Sequence, residues 1–363
     1  MRIGILSMQR VRNYGSVLQA YSLKMMIEEI TGEEVFFLDP IYNSYYDANM
    51  PVVDDMDYEG NNDYRLNLIN HMLKKIVNHY IDKKFCKEII QFQNKQLKLN
   101  DNNNKINYDL VIEGSDEVFK CAKRIYKNLY GEVLNTKKLI TYAAACGSAE
   151  ITGISQETLP LVKEIMKNFD SMSVRDIHTS EYVSKLYDGI IYRHMDPVLM
   201  GNLYKRKHND VDIKNYLVIY AYPHRIRKQN EINAIKNYAK KHKLKTVAIG
   251  GALEWCDKYI AVSPLNVLDY FYHSNGVVTD TFHGTVFSII NHCNFAVILR
   301  KTNQYKLSGL IEEVKLEDRI VKDISQLSDI LDKSIDYTYA DNYLQKEREK
   351  SHEYLQNEIN KAR

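Results

Sequence analysis

The feature that most constrains this chain is an alternation of strand-like and helix-like segments that runs, lapses and starts again. Short runs rich in Val, Ile, Leu, Phe and Tyr fall at residues 2–7, 35–39, 110–113, 139–145 and 171–174. Segments with helical spacing lie between them at 16–30, within 64–99 and at 179–186. Strands that alternate with helices predict parallel sheets, because each crossover helix returns the chain to the same sheet edge. The pattern lapses over the polar residues 201–213. It resumes with strands at 216–222, 246–249, 276–280 and 295–299, and helices at 231–242, 265–273, 285–292 and 305–314. At 363 residues the chain exceeds the size at which a single core stops growing. The expected class is therefore α/β, with two Rossmann-like domains facing across a cleft. The first spans 1–205 and carries a helical insertion at about 64–99; the second spans 214–335. A helix over 340–363 carries a thin stripe of Leu344, Leu355 and Ile359, which suits packing across a domain surface; a solvated helix is the alternative.

Polar and glycine clusters fall just after the strands. Gln9 to Gly15 (9–15), Gly114-Ser115-Asp116, Cys146-Gly147-Ser148 and Arg175-Asp176 follow those of the first half. His224 to Lys228 (224–228), Gly250-Gly251, His283-Gly284 and Arg300-Lys301 follow those of the second. Parallel strands bring such loops to one edge of each sheet, so two facing domains enclose a cleft lined by them. Arg175, Arg225, Arg227, Lys228, Arg300 and Lys301 would make that cleft cationic, and guanidinium groups match carboxylate or phosphate by paired hydrogen bonds. His283 follows the β-branched run Val277-Val278-Thr279 and precedes an apolar helical segment that starts at Thr285. It thus stands at the carboxyl end of a strand and the amino end of a helix, where an anion is favoured, and it is a candidate proton donor. A histidine that only bonds the turn is the alternative.

Composition removes several function classes. A net charge of +2 is far from the basic balance of a nucleic-acid binder, and no nucleic-acid module is visible. The five cysteines, Cys86, Cys121, Cys146, Cys256 and Cys293, are scattered, with neither a Cys-x-x-Cys pair nor a metal-ligand spacing. They read as reduced, packed thiols of a cytoplasmic protein, with no metal expected. The amino terminus enters a strand at once, unlike a signal peptide, and no apolar run approaches the roughly 18–20 residues that span a bilayer. Residues 47–62 and 94–107 read as exposed loops. The helical stretch between them sets Leu66, Ile69, Leu73, Ile76 and Tyr80 on one face, with Lys74, Lys75, Lys83, Lys84 and Lys87 outside. That pattern suits either peripheral contact with the inner face of an anionic membrane or an ordinary solvated surface.

The segments Asn13-Tyr14-Gly15-Ser16-Val17-Leu18-Gln19-Ala20, Val111 to Phe119 (111–119), Ser173-Val174-Arg175-Asp176, Asp196-Pro197 and Thr279-Asp280-Thr281-Phe282-His283-Gly284 occur in this order. Together they resemble the polysaccharide pyruvyl transferase family, from the first strand to about residue 320. The resemblance implies a glycosyltransferase-B-like pair of domains. It also implies transfer of the enolpyruvyl carbons of phosphoenolpyruvate onto two sugar hydroxyls of a glycan or lipid-linked saccharide, giving a cyclic pyruvate ketal and phosphate. Phosphoenolpyruvate is then a co-substrate, and no cofactor is implied. His283 matches the family's motif histidine, the acid candidate, and Arg175 an arginine implicated in donor binding; Arg300 corresponds more loosely. Arg225, Arg227, Gly284 and Thr285 are further donor-side candidates, and Asn13, Gly15 and Ser16 acceptor-side candidates.

Two departures stand out. Some branches of the family carry an acidic residue after the first-loop glycine, where this chain has Ser16, so Asp116 is the substitute candidate for the base. Others carry arginine two residues before the motif histidine, where this chain has Thr281. Two other readings remain: a nucleotide-sugar glycosyltransferase of the same fold, and a non-catalytic glycan-binding member.

Overall fold

A computed structural model describes residues 1–48, 68–99, 103–121, 123–133 and 135–363, without the side chains of 68–78. The first half contains β1 (Ile3–Leu6), α1 (Tyr14–Thr31), β2 (Val35–Leu38), β3 (Tyr45–Asp47), α2 (Leu68–Phe92), β4 (Leu110–Glu113), β5 (Arg124–Tyr126) and β6 (Leu139–Thr141). It continues with α3 (Thr158–Met166), β7 (Met172–Val174), α4 (Ile177–Val183), β8 (Ile191–Arg193) and α5 (Pro197–Met200). The second half contains β9 (Tyr216–Tyr220), α6 (Gln229–Lys241), β10 (Lys245–Ile249), β11 (Lys258–Ile260), α7 (Pro264–Tyr272), β12 (Val277–Thr279), α8 (Phe282–Ile290), β13 (Phe295–Val297) and α9 (Gln304–Glu313). Helices α10 (Leu327–Asp332) and α11 (Thr338–Asn360) close the chain.

The class is α/β with parallel sheets. In the first half the order is β2-β1-β4-β6, and in the second β11-β10-β9-β12-β13, every neighbour parallel. Strands β7 and β8 pair in parallel and extend the first sheet beyond β6. The run at 139–145 breaks after Thr141 because Ala143 takes a left-handed φ of 47°. Pairing then resumes, with Ala144 N–H donating to Ser173 O and Arg175 N–H to Ala144 O.

The apolar cores explain how the halves are held. One cluster belongs to the outer face of each sheet, but the largest is common to both halves. It joins Val17 and Leu18 of α1 and Val198 and Leu199 of α5 to Phe287 of α8 and Leu307 of α9. Tyr14 adds a polar clasp: its hydroxyl donates to Val262 O at 2.9 Å and accepts from Val262 N–H at 3.1 Å. Residues 201–213 are also pinned, since Arg206 pairs with Asp269 and Ile213 is buried. Helix α11 crosses back onto the first half. Leu344, Leu355 and Ile359 are buried, Tyr354 Oη donates to Thr141 O at 3.0 Å, and Glu358 pairs with Lys138 at 2.8 Å.

The insertion differs from the expected amphipathic face. Tyr80 is 69% exposed, and among the described side chains of α2 the buried ones include Ile89 and Phe92, with Phe85 edge-on to Tyr14 at 5.0 Å. Leu66 lies outside the described residues, as do the side chains of Ile69, Leu73, Lys74, Lys75 and Ile76. Lys83, Lys84 and Lys87 are exposed. Within 94–107 Asn103 is buried rather than looped out, because its side chain donates to Phe37 O at 3.0 Å. No helix among the described residues is long and apolar enough to cross a membrane.

Candidate active site

Helix α8 begins three residues earlier than its apolar spacing suggests. Thr281 is extended, and its hydroxyl accepts from Gly284 N–H at 3.0 Å, so it caps the helix and places His283 in the first turn. Gly284 permits this, since a Cβ there would stand 2.1 Å from Thr279 Oγ1. Thr285 is buried, with its hydroxyl donating to Thr281 O at 3.1 Å. Gly284 and Thr285, expected on the donor side, therefore shape the helix start and do not line the cavity.

The facing residues come from the ends of β7 and β8. His194 N–H donates to Val174 O, which keeps the two strands paired up to the point where Arg175 and Asp196 emerge. Asp196 caps α5 through Oδ1, which accepts from Val198 N–H at 3.0 Å. Its other oxygen, Oδ2, lies 3.5 Å from Arg175 Nη1 and 3.4 Å from His283 Nε2. One buried carboxylate thus links the arginine of the first sheet to the histidine of the second. Burial alone would raise the Asp196 carboxyl, but His283 and Arg175 outweigh it and hold the group below its ordinary range. Arg175 lies over the Phe282 ring at 4.4 Å, its side chain is 3% exposed, and its Nε and Nη1 have no hydrogen-bond partner. A guanidinium so buried is a ready anion receptor.

The other wall is the start of α1. Asn13 Oδ1 accepts from Gly15 N–H at 2.7 Å and Ser16 N–H at 3.3 Å, so the residue is a helix cap, while Nδ2 reaches Tyr222 Oη across the cleft at 3.4 Å. Gly15 was expected to let a ligand approach. The His283 ring occupies that place instead: a Cβ on Gly15 would stand 2.1 Å from His283 Nδ1. Ser16 Oγ donates to Asp116 Oδ2 at 2.7 Å, and both line the cavity.

The cavity between the halves has a volume of about 540 Å3 and includes Arg175 and His283. Arg225 lines it, with Nη1 donating to Asp280 O and Nη2 to Thr302 Oγ1, each at 3.1 Å. Arg300 does not: its guanidinium bonds both oxygens of Glu231, at 2.8 and 3.0 Å, and Asp280 at 3.0 Å, a structural network that replaces the expected donor contact. Arg227 turns outward onto Pro223 O and also lies off the cavity, as do Lys228 and Lys301.

Residues not expected in the site complete it. Lys306 and Lys120 bring positive charge, and Lys306 pairs across the cleft with Glu117 at 2.9 Å. Asp196 was visible as an Asp-Pro pair, the signature of a cap before a helix, but nothing local shows that its second oxygen faces a histidine 87 positions on. Lys306 lies inside a helix, and only the packing of the two halves brings it to the cleft. Among the described residues no group of three or more His, Cys, Asp or Glu side chains is placed to hold a metal ion.

Two parallel sheets meet at a cationic cleft with a histidine on one wall and a buried arginine on the other, the arrangement of a glycosyltransferase-B-like fold. The model of the polysaccharide pyruvyl transferase family matches residues 13–302, and the chain belongs to that family. No curated protein matches it in sequence. Among solved structures, Arabidopsis thaliana UGT89C1 complexed with UDP is 11% identical over 99% of each chain, with a TM-score of 0.50, and shares the fold. The S. aureus MnaA–UDP co-structure is similar at 12% identity over 96% of this chain and 89% of that one, with a TM-score of 0.46. A Thermobaculum terrenum O-GlcNAc transferase mutant is 12% identical over all of this chain but 66% of its own length, with a TM-score of 0.42.

Proposed function

We propose that the protein transfers the enolpyruvyl group of phosphoenolpyruvate onto two hydroxyls of one sugar of a cell-surface glycan or its lipid-linked precursor, with residues 1–205 as the acceptor side and 214–335 as the donor side. The observation that carries this reading is the Asp196 carboxylate shared by Arg175 and His283. An acid that must protonate carbon needs a neighbouring anion to hold its proton until the donor is seated, and a trianionic donor needs cations beside that acid. Arg175, Arg225 and Lys306 supply the cations, and the amino end of α8 favours phosphate.

The proton of His283 goes to the methylene carbon of the donor, which becomes the methyl group. One sugar hydroxyl adds to the central carbon, the C–O bond to phosphate breaks, and the second hydroxyl closes the ketal. Of the two protons lost from the sugar, one restores His283 and one leaves with phosphate. Asp116 is the proposed base, held by Ser16. The five free thiols suit the reducing cytoplasm as the site of action.

The test incubates the protein with phosphoenolpyruvate and a panel of lipid-linked and cell-wall glycans in D2O. Phosphate release together with a ketal methyl carrying one deuterium is the expected result. UDP-glucose, offered instead, should neither stabilise the protein as strongly nor be consumed; the reverse outcome would favour a nucleotide-sugar transferase. Saccharide binding with no phosphate release would favour the non-catalytic reading.

A further inference from the structure

A second cavity, of about 650 Å3, adjoins the first and shares Arg175, Phe282 and Lys306 with it. Its charge is opposite. Glu150, Asp176 and Glu181 from the first half and Glu312 from the second line it, against Arg175 and Lys306, while Glu313 is paired with Arg193. Its floor is apolar, with Met195, Leu199, Phe282 and Leu310 all buried. At its rim Tyr305 is 65% exposed and stacks on the His178 ring at 5.7 Å and 16°. His178 is itself fixed by a 3.0 Å bond between Nε2 and Ala149 O, so the exposed ring rests on a held support. Arg175 and Asp196, paired with each other at 3.5 Å, border the cavity on the side of the first.

This combination repels an anionic donor and suits a pyranose. A sugar ring offers an apolar C–H face to an aromatic side chain and hydroxyl donors to carboxylates, which act only as acceptors. We infer that the second cavity binds saccharide units of the acceptor beyond the reacting sugar, in uncharged or amino form and without acidic groups. The inference rests on the reading above only in taking this saccharide to be the acceptor. The chain of sugars then runs from Ser16 and Asp116 past the Arg175–Phe282 stack to the platform of Tyr305. Charge then keeps the anion in the first cavity, beside the reacting sugar, and leaves the second to the sugars beyond it.

The test uses saturation-transfer NMR on the full chain with four tetrasaccharides: cellotetraose, N-acetylchitotetraose, its fully deacetylated counterpart and tetragalacturonate. Transfer to at least one of the first three and none to tetragalacturonate is expected, and the deacetylated tetramer separates amino from uncharged preference. Tyr305→Ala should weaken the bound tetrasaccharide about tenfold, the scale of one aromatic contact, whereas Tyr305→Phe should retain it. Glu181→Gln, at an exposed rim position, should weaken it independently. The thermal shift given by phosphoenolpyruvate should be the same in all three variants. Absence of transfer to every tetrasaccharide, equal transfer to tetragalacturonate, or wild-type binding by Tyr305→Ala would overturn the inference. Failure of phosphoenolpyruvate to stabilise the wild type would strike the pyruvyl-transfer reading and leave the saccharide result standing.

Discussion

The Asp196 carboxylate has a defined chemical task in this arrangement. The carboxylate stands 3.4 Å from His283 Nε2 and 3.5 Å from Arg175 Nη1, so Asp196→Asn should loosen both side chains and lower kcat, as read from steady-state kinetics beside thermal melts. A purely structural role would lower melting temperature and leave kcat of the folded protein unchanged. Asp280 gives a separate prediction at the same scale. Burial pushes its carboxyl up from 3.8 to about 6, with Arg300 and Arg225 opposing and Glu231 adding to the rise. A raised folded-state value means that the native state binds this proton more tightly than the unfolded chain. Its contribution is fully present below about pH 4 and lost as pH rises to 6. Asp280→Asn should therefore gain stability relative to the wild type between pH 4 and 6 and hold a constant difference above it, as followed by thermal melts. His283 and Arg175 were legible in the sequence because each lies in a polar segment just past an expected strand, 276–280 and 171–174. Arg300 follows the expected strand at 295–299 too, yet Glu231 on the neighbouring helix α6 takes its guanidinium, and that pairing has no local signature.

At the scale of elements, the site depends on how closely the starts of α1 and α8 approach. Gly15→Ala should displace the His283 ring, because no Cβ fits 2.1 Å from Nδ1. The expected outcome is a fall in turnover with donor-induced stabilisation retained, measured side by side. Asn13→Ala should cost about 0.5–2 kcal/mol of stability through loss of the α1 cap, read from urea unfolding. The long alternating segments were readable because hydrophobic period and cap residues agree there. Strands β3, β5, β8 and β11 were not, since each is short and only partly buried, without the continuous apolar run of the equally short β12 and β13. Helix α2 shows the other limit. Tyr80 of the expected face is exposed, and nothing local in the sequence shows that Phe85 meets Tyr14 of α1.

For the whole molecule, a core common to both halves holds the cleft, and polar contacts across it set its aperture. Glu117 is held at about 2, below its ordinary 4.5, chiefly by Lys306, with burial opposing and Lys120 assisting. The stability this gives is present above about pH 4.5 and lost as pH falls toward 2, so Lys306→Met should flatten that part of the acid-unfolding curve. The restart of the strand-helix pattern after residue 213 was legible from periodicity alone. The common core was not, because each half's helices show an apolar face whether it meets its own sheet or the other half. The most direct measurement of the central claim is phosphate release by His283→Ala beside the wild type, with phosphoenolpyruvate and a competent acceptor. The expected result is a roughly 10²- to 10⁴-fold loss of turnover with donor-induced thermal stabilisation retained. Near wild-type phosphate release by that variant would contradict the assignment of His283 as the acid.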